Sequence, residues 1–167
     1  MLDPLPDAAR VWLVALDRTL GAGPAEALRQ SVAGWLPSWQ SHGRPVRADA
    51  AVLAGRVLGV GAVISEADLN AGVSGCGIDA MERAVAEALD AHGVGRAPAL
   101  GVTYRDADGA WQSVARPAFR RLTRSGQAGS ETTILDVTAA TVGDLRAHGV
   151  ERPAGETWAA RAFALPV

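Results

Sequence analysis

The stretch Ala50 to Ile64 limits the fold of this chain more than any other. It is the longest apolar run, yet Arg56 and the glycines Gly55, Gly59 and Gly61 interrupt it. A membrane helix needs roughly 18 to 20 consecutive apolar residues, which this run does not supply. With Ala54-Gly55-Arg56 as the loop, Val46 to Leu53 and Val57 to Ile64 instead read as the two strands of a hairpin.

Regular elements are expected on both sides of that hairpin. Val11 to Leu16 is a continuous apolar run with β-branched and aromatic members, ended by Asp17-Arg18 and the Gly21-Ala22-Gly23-Pro24 punctuation, and it predicts a first strand. Pro24 suits the first turn of a helix, and Ala27, Leu28, Val32, Trp35 and Leu36 recur at helical spacing until Pro37. Ser41-His42-Gly43 then turns the chain. After a loop that follows Ile64, Ile78, Met81, Ala84, Val85 and Leu89 mark a second helix closing near His92-Gly93, and Ala99 to Tyr104 is a fourth strand. The order strand, helix, strand, strand, helix, strand predicts an α+β, ferredoxin-like βαββαβ fold over residues 8–105, with two helices on one face of an antiparallel sheet.

Residues 106–167 read as a C-terminal extension packed on the same domain. They hold an Asp106-Ala107-Asp108-Gly109 turn, a short strand from Trp111 to Val114, an arginine-rich segment, a loop from Arg124 to Ser130, a strand from Thr133 to Val137 and two short helices.

Composition removes several function classes. All 16 basic residues are arginine, so Schiff-base lysine chemistry, a pyridoxal site and a lysine-bearing phosphate loop are excluded. A hydrophobic share of 49% and a net charge of -2 fit a soluble globular chain rather than a nucleic-acid-coating one. The acidic, proline-containing start Met1 to Asp7 is unlike a secretory signal, and the single cysteine forms no internal disulfide, so a cytoplasmic location is expected.

That cysteine marks the candidate site. Cys76 lies in Val73-Ser74-Gly75-Cys76-Gly77-Ile78-Asp79, at the start of the second helix, where unpaired N–H groups and the helix dipole favour a thiolate. In the predicted topology the third strand ends at the same end of the sheet as Arg10, the turn His42-Gly43-Arg44 and the exit of the fourth strand at Tyr104-Arg105-Asp106. Asp17 and Arg18 belong at the opposite end. Cys76 as nucleophile and His42 as its base or orienter are the candidate catalytic pair, and Ser74, Gly75, Gly77, Asp79, Arg10, Arg44, Arg105 and Trp39 are candidate ligand contacts. The N–H groups of Gly77 and Ile78 would hold developing negative charge. The structural readings, a buried cysteine packed at a tight helix start and a histidine capping a helix C-terminus, stand ahead of the chemical one. The five tryptophans read as packing groups, with Trp39 the one placed to wall the site.

Other constellations are weaker. Cys76 and Arg83 form C-x6-R, one residue longer than the loop of cysteine-dependent phosphatases. One cysteine with His42, His92 and His148 has no zinc-ligand spacing, so no metal and no cofactor is expected. Arg116, Arg120, Arg121 and Arg124 surround Phe119, and on a helix the first, second and fourth share a face that suits phosphates.

Together, Arg10-Val11-Trp12-Leu13 with Asp17-Arg18, Trp39-Gln40-Ser41-His42-Gly43, Ser74-Gly75-Cys76-Gly77-Ile78-Asp79 and Pro153-Ala154-Gly155-Glu156-Thr157-Trp158 resemble a family of short bacterial proteins often labelled ABC transporter ATPase. The resemblance runs from about residue 8 to 163, and its S-G-C-x-I-D and W-x-x-H-G pieces are its specific part. With no phosphate-binding loop and no lysine, the ATPase label does not fit this chain, and the family implies no substrate. Gly77 stands where the family carries serine. The expected function is therefore a small polar site around Cys76 and His42, thiol-dependent or anion-binding, taking a small anionic ligand or a protein partner. The alternatives are a non-enzymatic interaction module and weak nucleic-acid binding through Arg116 to Arg124.

Overall fold

The computed structural model describes residues 2–64 and 72–165, so the loop expected after Ile64 lies mainly outside the described residues. In chain order the elements are β1 (Arg10–Ala15), α1 (Ala22–Trp35), a 3-10 turn, β2 (Gln40–Ser41), β3 (Arg44–Pro45), β4 (Arg47–Leu53), β5 (Val57–Val63) and α2 (Gly75–Ala91). There follow β6 (Gly101–Arg105), β7 (Trp111–Ala115), α3 (Arg116–Arg124), β8 (Thr133–Leu135), α4 (Val142–His148), β9 (Glu151–Pro153), a second 3-10 turn and α5 (Trp158–Phe163). The fold is mixed α+β.

The hairpin read from the longest apolar run is its centre. β5 lies between β1 and β4, antiparallel to both, and all of its residues are buried. An all-apolar strand is stable only if both faces are covered, and here both are. On one face α1 and α2 pack Leu28, Val32, Met81, Val85 and Leu89 against Leu58, Val60 and Ala62. On the other, the N-terminal residues Leu2, Leu5 and Ala9 and the α4 residues Val142 and Leu145 cover Val57 and Val63.

The glycines of β5 make room for that second layer. A Cβ on Gly61 would lie 2.6 Å from Leu5 Cδ1, 3.1 Å from Leu2 Cδ1 and 3.3 Å from Val142 Cγ2. The N-terminal segment is tied down over it. Arg146 donates to the carbonyls of Leu2 and Leu5, each at 2.9 Å, and pairs with Asp7 at 2.5 Å.

The expected fourth strand joins a different sheet. β6 does not pair with β1; it pairs with β7 and β8 in a four-stranded antiparallel sheet of order β7-β6-β8-β9. The chain does approach the outer edge of β1 at residues 95–97, where Ala97 N–H donates to Ala15 O and Asp17 N–H to Gly95 O. A turn closed by Gly101 N–H to Pro98 O then carries the chain away from β1. β6 pairs instead with its sequence neighbour β7 across the Asp106–Gly109 turn. The second sheet has its own core, in which Phe119, Ile134, Ala154, Ala159 and Phe163 are buried.

Arg56, in the β4–β5 loop, joins the two sheets. It is only 5% exposed and donates to Thr19 Oγ1, the Asp17 carbonyl and Ser113 Oγ of β7 at 3.1 to 3.3 Å. Burial pushes its guanidinium pKa down, with the Asp17 carboxylate opposing.

Gly61→Ala is expected to lower stability by about 1 to 3 kcal/mol, because the added methyl overlaps Leu5 and the N-terminal segment must shift. A urea midpoint that falls with an unchanged m value checks this, and an unchanged midpoint means the segment does not press on β5.

Candidate functional site

The structure joins the two sequence pieces that flank the expected site. After α1 the chain forms a small hairpin in which Ser41 pairs with Arg44 around His42-Gly43. Both loop residues are left-handed, with φ of +52° and +73°, the requirement of a two-residue hairpin turn that matches strand twist. This hairpin sits on the first turn of α2. Trp39, 1% exposed, donates its Nε1–H to the Gly77 carbonyl at 2.9 Å. Ser74 N–H donates to Ser41 Oγ at 2.9 Å, Ser41 Oγ–H donates to Ser74 Oγ at 3.1 Å, and Ser74 Oγ caps α2 by accepting from Gly77 N–H. Glycine suits position 77 for a steric reason: a Cβ there would lie 2.9 Å from Val73 Cγ1 and 3.3 Å from Ser74 Oγ.

Trp39, Ser41, Ser74 and Gly77 therefore act as a clasp. Trp39 is a core residue, with its ring 6.0 Å from Trp12 and 5.5 Å from Trp35, and Arg10 lies 5.1 Å over the Trp12 ring. Cys76 is exposed in the first turn of α2, and His42 is exposed at the hairpin tip. Among the described residues neither side chain has a hydrogen-bond partner, and no group of three histidine, cysteine or acidic residues is placed to hold a metal ion. Gly75, Asp79 and Arg44 are exposed nearby. Arg105 lies in the second sheet, paired with Glu151 at 2.9 Å and stacked 4.3 Å over Trp111. Asp17 and Arg18 stand at the other end of the first sheet, where Arg18 donates to the Gly93 carbonyl.

The arginine-rich segment is helix α3, laid against α5. Arg116 stacks 4.9 Å over Trp158, and Arg120 lies 5.8 Å over Phe163 and donates to the Ala162 carbonyl. Part of the cationic face read from the sequence is thus covered.

The displaced fourth strand leaves a second site that the sequence reading missed. Along the outer edge of β1, Val11 N–H donates to Ala140 O at one end and Ala97 N–H donates to Ala15 O at the other. Between them the N–H and C=O of Leu13, which point the same way, have no partner among the described residues. Opposite Trp12, Leu13 and Val14 lies a cleft of about 730 Å³, bordered by Glu82 and Arg96 on one side and by Leu135, Val137, Ala139 and Trp158 on the other. Volumes of this order are typical of ligand sites. The cleft opens where residues 98–101 turn away from β1, a long-range outcome that no local pattern in the sequence marks.

Comparison of the chain with protein-family models, with curated proteins and with solved structures returns no match. Among the described residues no helix is long and apolar enough to cross a membrane.

Ser41→Ala removes both hydroxyl bonds of the clasp and leaves the part-buried Ser74 N–H without its acceptor. A loss of about 1 to 3 kcal/mol in thermal or urea unfolding is expected, and a change below about 0.5 kcal/mol would show that the clasp does not hold the hairpin to α2.

Proposed function

We propose that this protein is an interaction module that takes up an extended peptide on the open edge of β1. The first layer reads as a ferredoxin-like unit whose fourth-strand position, beside β1, is only clamped at its ends, and the single supporting observation is that the N–H and C=O of Leu13, facing the cleft, have no partner among the described residues. An open strand edge is a template for another backbone, since each added residue satisfies groups that otherwise lose hydrogen bonds. A cytoplasmic location belongs to the same proposal, carried by the lack of a second cysteine to pair with Cys76, as does membership of the family resembled through the clasp motifs.

The test uses tripeptides with leucine at the middle position, free and blocked at their ends, titrated into isotope-labelled protein. The Leu13 amide resonance is expected to shift saturably at millimolar peptide or below. Leu13→Pro deletes that N–H while sparing the ladder to β5, which alternate residues carry: Leu16 N–H goes to Arg56 O, whereas Val11 N–H points outward to Ala140. The variant should lose binding at least tenfold. No saturable shift at Leu13 with any of the peptides overturns the proposal.

A second reading, a thiol-dependent or anion-binding site at Cys76 with His42, is favoured by the exposure of the thiol in the first turn of α2. It requires the imidazole to act on the thiol. Iodoacetamide should alkylate Cys76 in the folded protein, and His42→Ala is expected to change that rate by less than about twofold, because the hairpin places His42 by its turn geometry. A tenfold fall in His42→Ala supports the thiol site instead.

A further inference from the structure

We infer that the cleft carries an anion anchor on its far wall, the guanidinium of Arg116, and takes a small organic acid: one carboxylate on an apolar body. This goes beyond the peptide reading above. It uses the wall opposite β1 rather than the strand edge, so either can hold without the other.

The charged lining leaves one cation over. Among the described residues the charged groups bordering the cleft are Glu82, Arg96 and Arg116. Arg96 donates to Glu82 at 2.6 Å, and the two charges offset each other. Arg116 has no hydrogen bond and no ion pair among the described residues. The cleft therefore holds one uncompensated positive charge, which favours a monoanion.

Other polar side chains on the lining are already engaged. Thr103 Oγ1 shares a hydrogen bond of 2.9 Å with Ser113 Oγ, and Thr138 Oγ1 donates to Asp136 Oδ1 at 2.6 Å. Arg120, one turn further along α3, donates to the Ala162 carbonyl. The anchor is thus Arg116 alone and not the arginine cluster as a whole.

The way Arg116 is held leaves its donors usable. Its guanidinium lies 4.9 Å over the Trp158 ring. Contact with a ring uses one side of the planar group, whereas its N–H bonds lie in the plane and stay open to a carboxylate, which they meet bidentately. Ala115 pairs with Gly101 of β6, which fixes the start of α3 beside the cleft.

The rest of the lining sets the body of the ligand. Leu13, Leu135, Val137 and Ala139 border the cleft, and Val137 is 36% exposed although apolar. A ligand that covers them removes apolar surface from water, which a bare inorganic anion cannot do.

The test titrates hydrocinnamate, its neutral amide and acetate into isotope-labelled protein, with the Trp158 indole N–H as reporter. Hydrocinnamate is expected to shift that resonance saturably, roughly tenfold tighter or more than either of the others, the contribution of a charged hydrogen-bonded pair. Arg116 is exposed, so Arg116→Gln leaves the core untouched; it should bring acid and amide to within about twofold of each other. Arg124→Gln, on the same helix but outside the cleft, should leave the preference intact. A Trp158 resonance that answers none of the three, an amide or acetate that binds as tightly as the acid, or a preference that survives Arg116→Gln overturns the inference. Edge pairing is judged separately, by peptides at the Leu13 amide and by Leu13→Pro. Acid binding without a peptide response overturns that reading alone, and a peptide response without acid binding overturns this inference alone.

Discussion

Burial of β5 on both faces is the constraint from which the remaining architecture follows. Val57 to Val63 has no polar side chain to offer water, so each of its faces needs a layer. Two amphipathic helices supply one. The other comes from the N-terminal segment and α4, which approach closely because Gly61 carries no side chain. Arg146 then serves as the fastener, gathering the carbonyls of Leu2 and Leu5 and the carboxylate of Asp7. Leu2, Leu5 and Ala9 of the N-terminal segment thereby belong to the buried cluster on this face.

Covering β5 in this way leaves the edges of its sheet to be settled separately. The outer edge of β1 is approached from both ends, by the chain before Pro98 and by the chain entering α4, and neither closes the middle. Strand edges are usually blocked by charge, bulges or covering segments; here Leu13 faces a cleft instead. The Trp39 clasp resolves the opposite problem, seating the hairpin against the first turn of α2 so that the Gly77 carbonyl, the Ser74 amide and the Ser41 hydroxyl are all satisfied in a partly buried place. This also explains why tryptophan, serine and glycine stand at these positions without any need for chemistry at the neighbouring thiol.

Much of the element pattern was legible in the residues. The β4–β5 hairpin, α1, α2 and β7 stand close to where apolar spacing, Pro24 and the Ala54-Gly55-Arg56 loop put them, because those signals are local. Convergence of the hairpin around His42 with the start of α2 was legible too, since it needs only the alternation of strand directions. The fourth strand was not: its apolar residues suit either sheet, and the choice turned on the Pro98–Gly101 turn away from β1 and on a neighbouring partner across a tight turn. Arg105 accordingly went to Glu151 and Trp111.

Sequence by itself determined the α+β class, the hairpin, the two covering helices and the exclusion of lysine-dependent chemistry, all of which depend on residue type and short-range spacing. Only the tertiary structure decided which groups were left over. That Arg56, a loop arginine, is buried between two sheets and that the Leu13 amide has no partner among the described residues are outcomes of long-range competition for partners, and no local pattern encodes the result of such a competition.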